Sequence, residues 1–165
     1  PCPFRSWWIA SRTMAASLEL EHGGGFSKSQ RAMLKNAEEL CRQISHNGRP
    51  LIEETNAQVR LARTAANLMV SDMLTFRAQW ASAEKKPNFA YGPMAKMFSS
   101  EKFQSDARDL LDLTAPWSLA DRAGPAGALN MAYRHSQGTT IYGGTSEVHR
   151  SMIAERGLNL PRTRA

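Results

Sequence analysis

The chain has 165 residues, 42% of them hydrophobic and 22% charged, with a formal charge of +6. That is one domain by size, long enough to bury a core, and the balance excludes a disordered polymer. The two cysteines, Cys2 and Cys41, lack a Cys-x-x-Cys spacing and a neighbouring histidine cluster, so free thiols in a reducing compartment are expected, with no disulfide framework and no metal site.

The opening PCPFRSWWIASR is too short in its apolar part, and too broken by arginine, for a secretory signal. No run approaches the length of a membrane span, so a cytoplasmic protein is expected. Because the chain does not begin with Met, it reads as a piece of something longer. Trp8, Ile9, Met14, Leu18, Met33, Leu34 and Leu40 fall near a 3.6-residue repeat, which predicts one long helix from about Ser6 to Cys41. The His46 to Pro50 segment, with its glycine and proline, stops it.

A second helix is predicted from Glu54 to Glu84, with Val59, Ala62, Ala66, Met69, Met73 and Phe76 as the apolar stripe that should face the core. Arg60 and Arg63 share a face of it, read as a solvated surface; nothing in the chain has the spacing of a nucleic-acid-binding motif. After a turn at Lys85 to Asn88, a third helix from about Ala90 to Leu113 carries Met94, Met97, Phe98, Phe103, Leu110 and Leu111. Pro116 and Gly124-Pro125 bound a loop and a short helix ending near Tyr133, and a last helix runs from Thr145 to Glu155. No segment alternates at period two for long enough to make a sheet. The expected fold is all-α: an antiparallel four-helix bundle with an extra short helix, filling residues 1–165 as a single domain.

The stretch Gln137 to Arg162, QGTTIYGGTSEVHRSMIAERGLNLPR, places two glycines directly before a helix that opens on hydroxyl and carboxylate residues. Gly143 and Gly144 allow close backbone approach, Thr145 or Ser146 can cap the helix, and its first free N–H groups then face an anion. His135 and His149 have no metal-ligand spacing and are read as surface or packing residues.

The whole string resembles the C-terminal signature of acyl-CoA dehydrogenases, including the closing I-A-E-R-x-L-x-L-P-R run from Ile153 to Arg162. The resemblance covers nearly the whole chain and is strongest in the last third. It implies the C-terminal helical domain of an FAD-dependent oxidoreductase of fatty acid or lipid metabolism, with the N-terminal helical and central β domains absent. It also implies an acyl-CoA substrate, to whose phosphates a basic chain is suited, an electron-transfer flavoprotein as electron acceptor, and a homo- or hetero-oligomer.

In that family a carboxylate removes the proton alpha to the thioester carbonyl, and many members carry this glutamate where this chain has Gly143. Another branch places the base on the first long helix in a run resembling Leu-Asp-Leu-Glu-Arg; here the match is Leu18-Glu19-Leu20-Glu21-His22, which makes Glu21 the candidate base. Gly24 and Gly25, three and four residues further on, would share its helical face and leave open space for the substrate, with His22 and Gly143 also beside it. Gly144, Thr145, Ser146 and Glu147 are the candidate FAD contacts.

Three departures stand against the family pattern. His22 replaces an arginine, Ile44 to Gly48 keeps only the glycine of an Arg-x-x-Phe-Gly element, and Asp112 to Trp117 replaces a glycine-rich loop that reaches the flavin of a neighbouring subunit. Such changes resemble divergent bacterial members. They also support an alternative reading, a non-catalytic helical subunit or remnant that assembles with a partner acyl-CoA dehydrogenase chain.

Overall fold

The computed structural model describes residues 25–86, 88–119 and 123–161. Helix α1 (Ser27–Gln43) leads through a small antiparallel pair, β1 (Ser45–His46) and β2 (Arg49–Pro50), into α2 (Thr55–Ala83). Then follow α3 (Tyr91–Leu113), α4 (Pro125–Thr139) and the short α5 (Ser146–Met152), which continues as a π-helical turn over Ile153–Gly157.

Adjacent helices run antiparallel, and the polar links between them show it. Arg60 at the start of α2 reaches the Asp112 carboxylate at the end of α3 (3.0 Å), whereas Arg77 near the end of α2 reaches the Tyr91 hydroxyl at the start of α3 (2.9 Å). Gln104 of α3 meets Gln137 near the end of α4 while Asn130, earlier on α4, reaches the Ser118 carbonyl just beyond the end of α3, and Arg31 of α1 pairs with Asp72 of α2. The fourth side closes where Phe26, just before α1, meets His135 near the end of α4. The core is a single cluster that includes Met33, Leu40, Leu61, Leu68, Phe103, Leu110 and Leu129, with Ala37, Ala57 and Ala107 at points of close helix approach. Cys41 is free and buried, and burial pushes its thiol up to about 11.

Four expectations change. First, α1 starts at Ser27, because Phe26 has left helical geometry (φ −81, ψ 15) and its amide donates to the Ser99 hydroxyl of α3 at 3.2 Å. The helix expected from Ser6 therefore does not run unbroken to Cys41, and the part before Gly25 lies outside the described residues. Second, Asn47 (φ 52) and Gly48 (φ 78) adopt the left-handed pair of a tight hairpin turn, so a minimal strand pair forms where none was expected.

Third, α4 continues to Thr139, beyond the expected end near Tyr133. Its polar last turn sustains the helix because the Ser136 and Thr139 hydroxyls each donate to a carbonyl three residues back, both at 2.7 Å. Fourth, the predicted core stripe of α2 faces solvent. Val59, Met69, Met73 and Phe76 are 50 to 69% exposed, Ala62 and Ala66 are exposed as well, and the inner face is Ala57, Leu61, Thr64, Leu68, Ser71 and Thr75. Arg60, expected on a solvated face, is half-buried against Asp109 and Asp112.

Candidate functional site

Between α4 and α5 the chain reverses through Gly143 and Gly144, both at positive φ (68 and 95). The Ser146 amide donates to the Thr140 carbonyl at 3.2 Å and closes the loop. Thr145 is extended (φ −69, ψ 160) and its hydroxyl accepts from the Val148 amide at 3.3 Å, the capping role expected of it.

Both glycine carbonyls are held from within the domain. The buried His149 ring sits 3.1 Å from the Gly143 oxygen through Nε2, and the buried Lys96 of α3 donates from Nζ to the Gly144 oxygen. Burial holds the Lys96 ammonium below the ordinary lysine value, opposed by the nearby Glu101 and Glu147 carboxylates. In a trans peptide the N–H lies opposite its C=O. With the carbonyls drawn towards His149 and Lys96, the N–H groups of Gly144 and Thr145 therefore face away from them, as an anion-holding turn requires. A side chain at residue 144 is excluded: a Cβ there would lie 2.8 Å from His149 Nε2.

Beside this turn is an open groove of about 460 Å³, lined by Glu101, Gln104, Thr140, Ser146, Glu147 and Arg150 among others. Ser146 is buried, and its hydroxyl oxygen has no hydrogen-bond partner. Hydrogen bonds from its own amide and from the Thr145 hydroxyl hold the exposed Glu147 carboxyl below the usual range. Arg150 bridges Glu101 (2.5 Å) and Glu147 (3.8 Å) across the groove wall.

The structure thus brings Gly143, Gly144, Thr145, Ser146 and Glu147 into one turn. Glu21, His22 and Gly24 lie outside the described residues. Gly25 is described, and the open space expected beside it is filled: a Cβ there would meet Ser99 Oγ at 2.8 Å and Thr75 Oγ1 at 3.0 Å. Its glycine permits close helix packing at that point. The sequence reading missed Lys96, and took His149 for surface or packing; the only signal for Lys96 was a lysine set between Ala95 and Met97 on an otherwise apolar stretch. Among the described residues no group of three or more His, Cys, Asp or Glu side chains could hold a metal ion.

A family model described as acyl-CoA dehydrogenase, C-terminal domain, matches residues 20–158. The chain belongs to the acyl-CoA dehydrogenase family. Members are FAD-dependent oxidoreductases, and this C-terminal domain shares their helical build. It is 33% identical over 107 residues to the mitochondrial short-chain specific acyl-CoA dehydrogenase of Rattus norvegicus, covering 65% of this chain and 25% of the relative. To benzylmalonyl-CoA dehydrogenase of Aromatoleum aromaticum it is 28% identical over 125 residues, covering 76% and 32%.

Among solved structures, butyryl-CoA dehydrogenase from Megasphaera elsdenii superposes with a TM-score of 0.82 at 19% identity, covering 89% of this chain and 38% of that one. The ChsE4-ChsE5 complex from Mycobacterium tuberculosis gives a TM-score of 0.74 at 25% identity, covering 84% and 36%. This acyl-CoA dehydrogenase domain therefore spans 25 to 38% of the length of these relatives. Among the described residues no helix is long and apolar enough to cross a membrane.

Proposed function

We propose that this chain is the C-terminal part of an acyl-CoA dehydrogenase that desaturates an acyl-CoA thioester between its α and β carbons. The observation that carries the reading is the glycine turn: two carbonyls pinned by His149 and Lys96, two N–H groups turned outward, and a groove with the unpartnered Ser146 hydroxyl beside them. These features fit FAD, whose polar ring edge or diphosphate requires donors and acceptors held at a fixed backbone. Gly144, Thr145, Ser146 and Glu147 would hold it, and when bound it supplies the acceptor for two electrons.

The residues of this chain supply the remaining parts. Glu21 acts as base towards the proton alpha to the thioester, since burial against an apolar acyl chain raises a carboxylate towards the pKa at which a base is most useful. Gly143, Gly24, Gly25 and His22 border the substrate, with Gly25 setting the packing of that segment on α3 rather than providing space. Segments outside this chain complete the flavin site. The setting is a cytoplasmic homo- or hetero-oligomer of acyl-CoA dehydrogenase subunits, with an electron-transfer flavoprotein as acceptor.

Rapid mixing of the full-length enzyme with acyl-CoA, followed by flavin bleaching, tests this. Glu21→Gln should slow bleaching by at least about 100-fold with flavin still bound. Normal bleaching in that variant would remove Glu21 from the mechanism. The non-catalytic reading draws on Gly143, which offers no acid at the position where many members carry one; it would be established by an unmodified protein that holds flavin and never bleaches.

A further inference from the structure

His149 and Lys96 hold the glycine turn by its carbonyls at residues 143 and 144; the residues just before them are held by a ring. The amides of Ile141 and Tyr142 both donate to the Gly138 carbonyl, at 3.0 and 3.1 Å, so the chain folds back on the end of α4. The Tyr142 ring lies over that same glycine, where a Cβ would touch two ring carbons at 3.4 and 3.5 Å. It stacks on His135 of α4, with centroids 6.2 Å apart and planes 20° apart, and its hydroxyl is 2.8 Å from His135 Nε2.

The Tyr142 ring also meets the Phe26 ring edge to face, with centroids 5.9 Å apart. Phe26 is where the chain enters α1, and it is fixed on its own account. Its ring stacks on Phe103 of the core at 6.2 Å, and its amide donates to Ser99 Oγ, which in turn donates to the Lys96 carbonyl, both at 3.2 Å. The contacts close a circuit. From the Lys96 ammonium it runs to Gly144, back along the chain to Tyr142, across to Phe26, and through Ser99 to the carbonyl of Lys96 again. In such a contiguous network a shift at one link is felt at the next.

We propose that Tyr142, tethered by His135, is a positioning residue that locks the glycine turn to the entry of α1. The proposal rests on the flavin reading of the turn and extends it to Phe26 and His135, which do not line the groove. In the proposed reaction the chain just before Phe26 carries Glu21. Removing a proton and a hydride from adjacent carbons requires base and flavin in one register, and the Phe26–Tyr142 contact supplies it.

Hydrogen exchange and FAD titration of the full-length enzyme test this. Tyr142→Leu removes the stack, the edge contact and the hydroxyl together. The Ser146 amide, whose bond to the Thr140 carbonyl closes the turn, should then exchange at least about tenfold faster, while the buried Leu110 amide keeps its rate. The Kd for FAD should rise by at least about tenfold. Phe26→Leu touches no groove residue, yet should raise that Kd about fivefold on its own and less than about twofold in the Tyr142→Leu background, where its route to the turn is gone. An unchanged Ser146 rate in Tyr142→Leu, or strictly additive effects of the two variants on Kd, would overturn the proposal. An unmodified full-length protein that takes up no FAD would instead remove the flavin reading, and the exchange rates would still judge the lock. Should Tyr142→Leu prove unfolded, Gly138→Val, which keeps Tyr142 but crowds its ring, must speed Ser146 exchange by at least about threefold or the proposal falls.

Discussion

Lys96 on α3 donates its ammonium to the carbonyl of Gly144, 48 residues away, and so ties the helical bundle to the turn that faces the groove. Two consequences of removing it oppose each other. Lys96→Met relieves the cost of burying an ammonium but leaves the Gly144 oxygen without its donor, a loss of about 1–3 kcal/mol. Global stability should therefore move by no more than about 1 kcal/mol. Flavin retention in the full-length enzyme, measured by equilibrium dialysis, should weaken by at least about tenfold, since the turn loses its anchor. Full retention would mean that His149 alone fixes the turn.

Asn67 of α2 donates to both carboxylate oxygens of Asp106 on α3, at 2.9 and 3.1 Å. Even so, burial pushes the Asp106 carboxyl from 3.8 up to about 6, with Asn67, Lys102 and Arg63 pulling the other way. The folded state then holds a proton between pH 3.8 and about 6 that the unfolded chain has released. Stability falls as pH rises through that window, by on the order of 3 kcal/mol in full. Asp106→Asn should flatten this slope and be the more stable form at pH 7, by about 1–2 kcal/mol once its less favourable amide contact is included. Urea denaturation of both proteins at pH 4 and pH 7 measures the difference, and parallel profiles would assign the slope elsewhere.

Gly25 sits where a Cβ would press on Ser99 Oγ at 2.8 Å. That hydroxyl accepts from the Phe26 amide and donates to the Lys96 carbonyl, both at 3.2 Å, so it cannot move without loosening the start of α1. Gly25→Ala should cost about 1–3 kcal/mol. The clash is mutual. In a double-mutant cycle Ser99→Ala should therefore cost less in the Gly25→Ala background than alone, by about 0.5 kcal/mol or more. Strict additivity in thermal unfolding would show that the two do not meet.

The fold was legible from sequence where apolar period and burial agree, as for Met33, Leu34 and Leu40 on α1 and Leu110 and Leu111 on α3. It misled on α2. There the inner face carries Thr64, Ser71 and Thr75, with Ser71 donating to the Asn67 carbonyl of its own helix, so a polar residue is satisfied inside while the more apolar face stays outside. Periodicity detects the most hydrophobic side and has no means of telling whether that side is the one turned to the core. At the site, the glycine pair and the Thr145 cap were legible because φ and capping are local. Lys96 was not, since its partner lies 48 residues away and only the packing of α3 on α5 brings them together.

The two left-handed glycines Gly48 and Gly144 separate backbone strain from close contact. Gly48 (φ 78) has nothing within 4 Å of its Cβ position, so Gly48→Ala should cost only the left-handed penalty of roughly 1–2 kcal/mol. Gly144 (φ 95) carries that penalty, and in addition its Cβ would lie 2.8 Å from His149 Nε2 and 3.3 Å from Cε1. His149 is buried and its ring holds the Gly143 oxygen, so displacing it breaks that contact as well. Gly144→Ala should thus be worse than Gly48→Ala by about 1–3 kcal/mol, and it should loosen flavin in the full-length enzyme where Gly48→Ala does not. Truncating the ring removes the clash but not the φ strain, so in a double-mutant cycle His149→Ala should cost less in the Gly144→Ala background than alone, by about 0.5 kcal/mol or more, without recovering flavin. Equal costs for the two single variants in denaturant unfolding would mean that the His149 ring yields freely and does not define the turn.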